Sequence, residues 1–152
     1  KTDSLIEFKN FRPVVKTTLS VKKPFGYLIP ASNNELVNWA SRQGFEIIQL
    51  KNPDKFVFEK LTISTVDSID FEGDIIPFPQ VARTVISDSI SPENFVFIPA
   101  AQLKGNLLVI ALEPQSELGL ATYNQFGFLM KAQTVYPVIR VIEIGKQTFK
   151  NK

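Results

Sequence analysis

The sequence of 152 residues contains no cysteine and no histidine. These two absences exclude a Ser-His-Asp triad, a cysteine nucleophile, a Cys/His zinc site and a disulfide framework within this chain. The acidic side chains that remain could still hold Ca²⁺ or Mg²⁺, which prefer oxygen ligands. Metal binding by side chains of this chain alone would therefore have to rely on carboxylates.

Net charge and long apolar runs are also scarce. The 17 Lys and Arg residues nearly balance the 15 Asp and Glu residues, and a formal charge of +2 does not indicate nucleic-acid binding. No apolar run approaches the roughly 18 residues that indicate a transmembrane helix. Walker A and Gly-x-Gly-x-x-Gly motifs are absent, so no phosphate-binding loop is predicted. With 44% hydrophobic and 21% charged residues, the composition is that of an ordinary globular protein.

The length suits a single folded domain. We expect residues 1–23 to form an extended N-terminal segment or linker, residues 24–145 a single α+β domain, and residues 146–152 a polar tail. The first residue is Lys1 rather than Met, which is typical of an excised segment or of a processed product.

The clearest local signal is a strand–helix–strand unit. The short apolar run at 25–30 predicts a buried strand that ends at a proline. Ser32 and Glu35 have the spacing of a capping box and predict the start of a helix, which Gly44 ends. The run 45–50 predicts a second strand, and such a unit favours parallel neighbours joined by a right-handed crossover. The inward-facing positions of the helix are predicted to be Leu36, Trp39, Ala40 and Gln43.

Alternating apolar residues predict further strands at 55–65, 80–87 and 95–98. A turn is predicted at 70–74, where acidic residues surround a glycine. Two prolines within 75–79 limit that stretch to a loop or to an edge strand.

Residues 99–113 leave two alternatives, a helix or a buried strand. The spacing of Leu103, Leu107, Ile110 and Ala111 favours a helix, and Pro99 suits its first position. The unbroken apolar run at the end of this stretch is also typical of a buried strand. Of the two, we favour the helix.

The last part of the chain predicts a short helix between residues 116 and 126 and a strand at 135–144 that Pro137 interrupts. Together these elements predict an α+β fold, in which a mixed β-sheet carries two or three helices packed mainly on one face.

Four acidic residues surround the predicted turn: Asp67, Asp70, Glu72 and Asp74. Acids at this density can bind Ca²⁺, whose sites take several oxygens from one tight loop. The spacing lacks the glutamate at the twelfth position of an EF-hand loop, so it favours a solvated turn whose carboxylates cap backbone amides.

Glu113 and Glu117 flank Pro114 and could act as an acid–base pair if one of them were desolvated. Helix capping is the simpler interpretation of these two residues. The chain also has 13 phenylalanines, several of them in predicted strands. Core packing is favoured over a base-stacking surface, because the charges between these aromatic residues are of both signs.

Four short motifs stand in a fixed order between residues 24 and 143. They are Tyr27-Leu28-Ile29-Pro30, Pro99 with Gln102, Leu112-Glu113-Pro114 with Ser116, and Tyr136-Pro137 with Arg140. In this order they resemble the region that follows the catalytic domain in bacterial carboxypeptidase A-like zinc peptidases. The zinc site of that family, His-x-x-Glu with a distant histidine, has no counterpart here, because the sequence contains no histidine.

The resemblance implies a C-terminal accessory domain, non-catalytic by itself, in a secreted or periplasmic zinc metallocarboxypeptidase-like protein. The peptidase domain would lie upstream in the same polypeptide and would bind the zinc, so no cofactor is expected in this chain. That domain is the expected partner, and neither a nucleic acid nor a transmembrane segment is expected. Support of stability or of substrate access is the implied role, with Gln102, Glu113 and Tyr136 as docking candidates.

Two functions of other classes stay open from the residues themselves. One is a free-standing module that binds a peptide or a glycan through its loops. The other is an enzyme that uses only carboxylates.

Overall fold

The fold is that of a computed structural model, which describes residues 16–86 and 90–144, together with residues 4, 6, 7, 9 and 14. Over these residues the chain forms six strands and two α-helices, which confirms the α+β class. The strands are β1 (Gly26–Pro30), β2 (Phe56–Phe71), β3 (Asp74–Ile86), β4 (Phe95–Pro99), β5 (Thr134–Val135) and β6 (Ile139–Ile144). The helices are α1 (Asn34–Arg42) and α2 (Gly105–Leu112), and 3₁₀ turns cover Pro53–Lys55, Pro92–Asn94, Leu120–Thr122 and Asn124–Leu129. The predicted tail lies outside the described residues, and so do ten of the 23 residues of the predicted N-terminal segment.

The strands form one sheet in the order β3-β2-β6-β1-β4, with β5 beside β2. Every pairing that the structure describes is antiparallel, so the parallel pairing predicted for 25–30 and 45–50 is wrong. The physical reason is that β1 has β4 on one side and β6 on the other, which leaves neither of its edges free. Residues 45–50 instead make one antiparallel bridge, between Ile48 and Phe97.

Both faces of the sheet are covered. On one face, α1, α2 and the segment after α2 pack over a cluster that includes Tyr27, Leu36, Leu108 and Tyr136. The helices therefore pack mainly on one face, as predicted. The smaller cluster on the opposite face consists of Leu28, Leu50, Phe58, Ile90, Phe97, Ile139 and Val141. Phenylalanines from predicted strands thus serve packing, as the sequence favoured.

Helix α1 begins later than predicted. Its N-cap is Asn33, whose Oδ1 accepts a hydrogen bond from Leu36 N at 3.2 Å. The capping box predicted at Ser32 and Glu35 is therefore wrong. The backbone explains the shift, because Asn33 N donates to Pro30 O at 2.9 Å and this places Ser32 in the turn before the helix.

The inward stripe of α1 is confirmed at Leu36, Trp39 and Ala40, which are all buried. Trp39 is only 8% exposed, and its ring centre lies 5.4 Å from that of Phe45. Gly44 follows the helix with a φ of 71°, the left-handed conformation that favours glycine at a helix end.

A long hairpin joins β2 and β3. Glu72 and Gly73 have φ angles of 56° and 93°, as a two-residue hairpin turn requires, which confirms the predicted turn. β3 is the outermost strand of the sheet order, so Pro77 and Pro79 lie on an edge, where proline is tolerated. Residues 75–79 therefore follow the edge-strand alternative.

Helix α2 confirms the helical alternative for residues 99–113. It begins at Gly105 and not at Pro99, because Pro99 is the last residue of β4. A Cβ atom at Gly105 would lie 1.9 Å from the carbonyl oxygen of Ala100, so the close approach of α2 to that loop requires glycine.

The residues whose spacing predicted α2 do not share one side of it. The buried residues of the helix are Gly105, Leu108, Ala111 and Leu112. Ala111 was among the predicting residues, whereas the other three, Leu103, Leu107 and Ile110, are exposed. Further along, the helix predicted between 116 and 126 is replaced by two 3₁₀ turns. The predicted interruption at Pro137 is confirmed by the gap between β5 and β6.

Removal of the observed helix cap should destabilise the domain. We predict that Asn33→Ala lowers the free energy of unfolding by about 0.5–2 kcal/mol, because the amide of Leu36 loses its acceptor. Ser32→Ala is the matched control and should change it by less than about 0.5 kcal/mol. Urea denaturation followed by tryptophan fluorescence measures both values. A larger loss in Ser32→Ala than in Asn33→Ala would contradict the assignment of the cap.

Candidate functional site

Four charged side chains form a closed ring on the helix-covered side of the sheet. These residues, called the charge ring below, are Glu59 on β2, Arg83 on β3, Glu113 directly after α2 and Arg140 on β6. Arg140 Nε lies 2.8 Å from Glu113 Oε1, and Arg140 Nη1 donates to Glu59 Oε2. Arg83 Nη1 lies 3.3 Å from Glu59 Oε2, and Arg83 Nη2 lies 3.6 Å from Glu113 Oε2. Each guanidinium therefore contacts both carboxylates.

Strand register brings these groups together. Tyr27, Arg140 and Glu59 are direct partners across the adjacent strands β1, β6 and β2. A bulge at Ile142 shifts the register by one residue, which places Arg140 rather than Val141 opposite Glu59. Since direct partners in neighbouring strands lie on the same face of a sheet, the three polar side chains point to one side.

The charge ring is mostly buried but reaches the surface at one member. Glu113 and Arg140 are 4% and 5% exposed, whereas the side chain of Arg83 is 31% exposed. Burial alone would lower the pKa of Arg140, but the negative charges of Glu113 and Glu59 outweigh this effect and raise it. Arg140 therefore stays charged. Glu113 Oε2 has no hydrogen-bond partner among the described residues, so the Arg83 guanidinium is the cation that compensates it.

Two tyrosines enclose the end of α2 beside Glu113. Tyr27 OH donates to Glu113 Oε1 at 2.7 Å, and Tyr136 OH donates to the carbonyl oxygen of Leu112 at 3.1 Å. Burial raises the pKa of both phenols, and the negative charge of Glu113 raises it further. Both tyrosines therefore remain protonated hydrogen-bond donors.

This arrangement neutralises charge and leaves no free base within the ring. Two carboxylates face two guanidiniums, so the net charge of the ring is zero. A general base must reach the proton that it removes, whereas Glu113 is buried and shares its oxygens with two arginines and Tyr27. Arg140 Nη2 also donates to the carbonyl oxygen of Lys22 at 2.6 Å. The ring thereby fastens the backbone segment that leads into β1.

The three docking candidates lie in two places. Glu113 belongs to the charge ring and Tyr136 is packed beside it, and both are buried within the domain. Gln102 lies apart, where its Nε2 donates to Pro99 O at 2.5 Å and its Oε1 accepts from Glu46 N at 3.0 Å. Their docking role stays a prediction, and the contacts described here are all internal to the domain. Glu117 is exposed and is not a member of the ring.

The acidic turn between β2 and β3 holds its own backbone. Asp70 Oδ1 accepts a hydrogen bond from Gly73 N at 2.9 Å, in the manner of the capping alternative. In the part of the chain that the structure describes, no group of three or more acidic side chains is arranged to hold a metal ion.

An exposed apolar surface lies on α2 and the turns on either side of it. Its residues, called the apolar strip below, are Leu103, Leu107, Ile110, Leu118 and Tyr123, with exposed fractions of 102%, 42%, 43%, 58% and 57%. A groove of about 320 Å³ opens beside the strip and is lined by Trp39, Tyr123 and Phe126 together with the amides of Gln43 and Gln125. Sequence analysis did not predict this surface, because helical spacing alone does not show which apolar residues of α2 face the core.

Comparison of the chain with protein-family models, with curated proteins and with solved structures found no match. Of the helices that the structure describes, none is long and apolar enough to cross a membrane. The resemblance to a region of zinc carboxypeptidase-like proteins therefore stays a hypothesis that rests on the four sequence motifs.

The free energy of unfolding that is lost when one arginine of the ring is replaced should depend on how deeply that arginine is buried. We predict that Arg140→Met lowers the free energy of unfolding by about 3–5 kcal/mol, because it leaves two glutamates without their buried partner. Arg83→Met should cost less, because Arg140 still contacts both carboxylates when Arg83 is removed. Urea denaturation of both variants measures the difference. Equal losses would contradict the central position of Arg140.

The raised phenol pKa values predict how stability varies with pH. Because Tyr27 and Tyr136 titrate above the value of about 10 expected in an unfolded chain, stability is retained below about pH 10 and falls as the pH rises further. An ultraviolet titration should show tyrosinate from at most one of the three tyrosines before unfolding begins. Tyr27→Phe should weaken the alkaline loss of stability, and an unchanged pH dependence in this variant would contradict the assignment.

Proposed function

We propose that this chain is a non-catalytic accessory domain of a larger zinc carboxypeptidase-like protein. In that protein the peptidase domain precedes it in the same polypeptide and carries the zinc, which activates water for hydrolysis of a peptide or amide bond. The accessory domain supports the stability of the peptidase domain and the access of substrate to it.

The observation that carries the proposal is the convergence of the motif residues. Tyr27, Glu113, Tyr136 and Arg140 come from three separate motifs, and they meet in and around the charge ring. Tyr27 and Glu113 share a buried hydrogen bond, although they lie 86 positions apart in the sequence. The motifs that carry the resemblance are thus the residues that hold this domain together, which supports membership in the same structural class.

The state of these residues supports a non-catalytic role. Both carboxylates of the ring face two guanidiniums, and both nearby phenols are kept protonated by burial. Acid–base catalysis needs a group whose proton exchanges with a bound substrate. Neither buried carboxylate oxygen of Glu113 is open to a substrate, which argues against the carboxylate-based enzyme.

One observation favours the binding module as a second candidate. The groove beside the apolar strip combines three aromatic side chains with two amide groups. Small-ligand sites are commonly built in this way, with an apolar lining and a few polar groups that fix orientation. A peptide side chain or a sugar ring would suit such a groove.

Hydrolysis assays test the proposal directly. We expect the 152-residue chain, with zinc added, to leave carboxypeptidase substrates intact. The complete polypeptide that contains this chain should hydrolyse them, and a chelator should abolish that activity. A shortened version of that polypeptide, which ends before Lys16 and so lacks this domain, should have a lower melting temperature than the complete polypeptide. Chelator-sensitive hydrolysis by the chain alone, or a complete polypeptide without peptidase activity, would overturn the proposal.

A further inference from the structure

Helix α2 is apolar on both sides, although only one side is covered within this domain. Leu108, Ala111 and Leu112 face the core, whereas Leu107 and Ile110 are each more than two-fifths exposed. The sequence from Gly105 to Leu112 contains no charged residue. A helix that is hydrophobic all round is normally buried all round, so a second surface is needed to cover the outer side of α2.

The backbone that leads into β1 reaches the domain beside this same helix. Lys23 Nζ donates to Asn106 Oδ1 at 3.0 Å, and Asn106 is the second residue of α2. The carbonyl oxygen of Lys22 is held by Arg140, and that of Phe25 accepts from Ala100 N at 2.8 Å. The chain therefore enters the domain next to the first turn of α2.

We infer that the apolar strip is the surface against which the preceding domain of the same polypeptide packs. This inference rests on the proposed function for the existence of that domain, and it names the surface that joins the two. The contact surface of the partner is apolar and uncharged at its centre, because the strip contains three leucines, one isoleucine and one tyrosine. Its rim is polar, where Lys104 and Glu117 flank the strip.

A covalent link through residues 1–21 makes a modest interface sufficient. Interfaces between domains of one chain bury about 600–1,500 Å², and a link of about 20 residues supplies an effective concentration on the order of millimolar. An interface with a dissociation constant of about 0.1 mM would then be closed about nine-tenths of the time. No tight binding in solution is required.

The absence of cysteine from this chain permits a direct test. Leu103→Cys and Leu107→Cys place a thiol within the apolar strip, and Ile75→Cys places one at the end of the β2–β3 hairpin as the control. Leu103 and Ile75 are 102% and 70% exposed, so neither substitution removes a core side chain. Each variant is labelled with a maleimide in the 152-residue chain and in the complete polypeptide, and mass spectrometry reads the rate at each introduced thiol.

We expect the two thiols of the strip to react about tenfold more slowly in the complete polypeptide than in the 152-residue chain. The thiol at position 75 should react at the same rate in both. If each of the three thiols reacts at the same rate in the 152-residue chain and in the complete polypeptide, the inference is overturned. Protection of the strip that grows with the concentration of the 152-residue chain would also overturn it, because this result would identify a second copy as the occupant.

The outcome is separable from that of the hydrolysis assay. Protection of the strip in a polypeptide without zinc-dependent hydrolysis would uphold the interface and reject the proposed parent activity. Unprotected thiols in an active peptidase would reject the interface and leave the proposed function intact. Protection that appears only after addition of a peptide ligand would reject the interface in favour of the binding module.

Discussion

The guanidinium of Arg140 is the constraint on which the rest of the structure depends. It lies within the sheet at 5% exposure, where an uncompensated charge would cost several kcal/mol. Its charge is compensated by Glu59 and Glu113, and its Nη2 donates to the backbone of Lys22. These partners come from β2, the end of α2 and the segment before β1. One side chain thus ties together both layers of the fold and the place where the chain enters it.

The compensation of the Arg140 charge depends on the register of the neighbouring strands more than on any single ion pair. A slip of one residue between neighbouring strands would turn Glu59 and Arg140 to opposite faces, because side chains alternate along a strand. The bulge at Ile142 sets the register that the ring needs, and it lies only two residues from Arg140. A buried ion pair is weak evidence for net stability, but it strongly disfavours every arrangement in which one partner is left alone.

Local signals in the sequence predicted local structure well. The strand at β1, the inward stripe of α1 and the turn at Gly73 depend on residues close together in the chain, and all three are confirmed. The cap of α1 was displaced by one residue, since Ser32 and Asn33 are both good caps and the choice depends on the turn that follows β1.

Features that depend on distant partners could not be predicted in this way. Residues 45–50 have the composition of a strand, but they cannot pair with β1, because both edges of β1 are paired with β4 and β6. Glu113 was a candidate from its motif, whereas nothing in the local pattern marks Glu59 or Arg83 as its companions. Their roles follow from pairing across the sheet, which a single sequence does not contain.

The sequence also did not predict which side of α2 faces the core, and the physical reason is a different one. The side that faces outward is an apolar surface that this domain leaves uncovered. Hydrophobic periodicity orients a helix only when a polar side contrasts with an apolar one, and the eight residues of α2 have no such contrast. The side of α2 that faces the core is fixed at Gly105, because only glycine permits the close approach of the helix to Ala100. What remains outside is a second apolar side, continuous with Leu118 and Tyr123. The groove is lined by Leu107, Leu118 and Tyr123 of the strip, whereas Leu103 and Ile110 lie outside its lining. An extended protein surface therefore accounts for the strip better than a small ligand does.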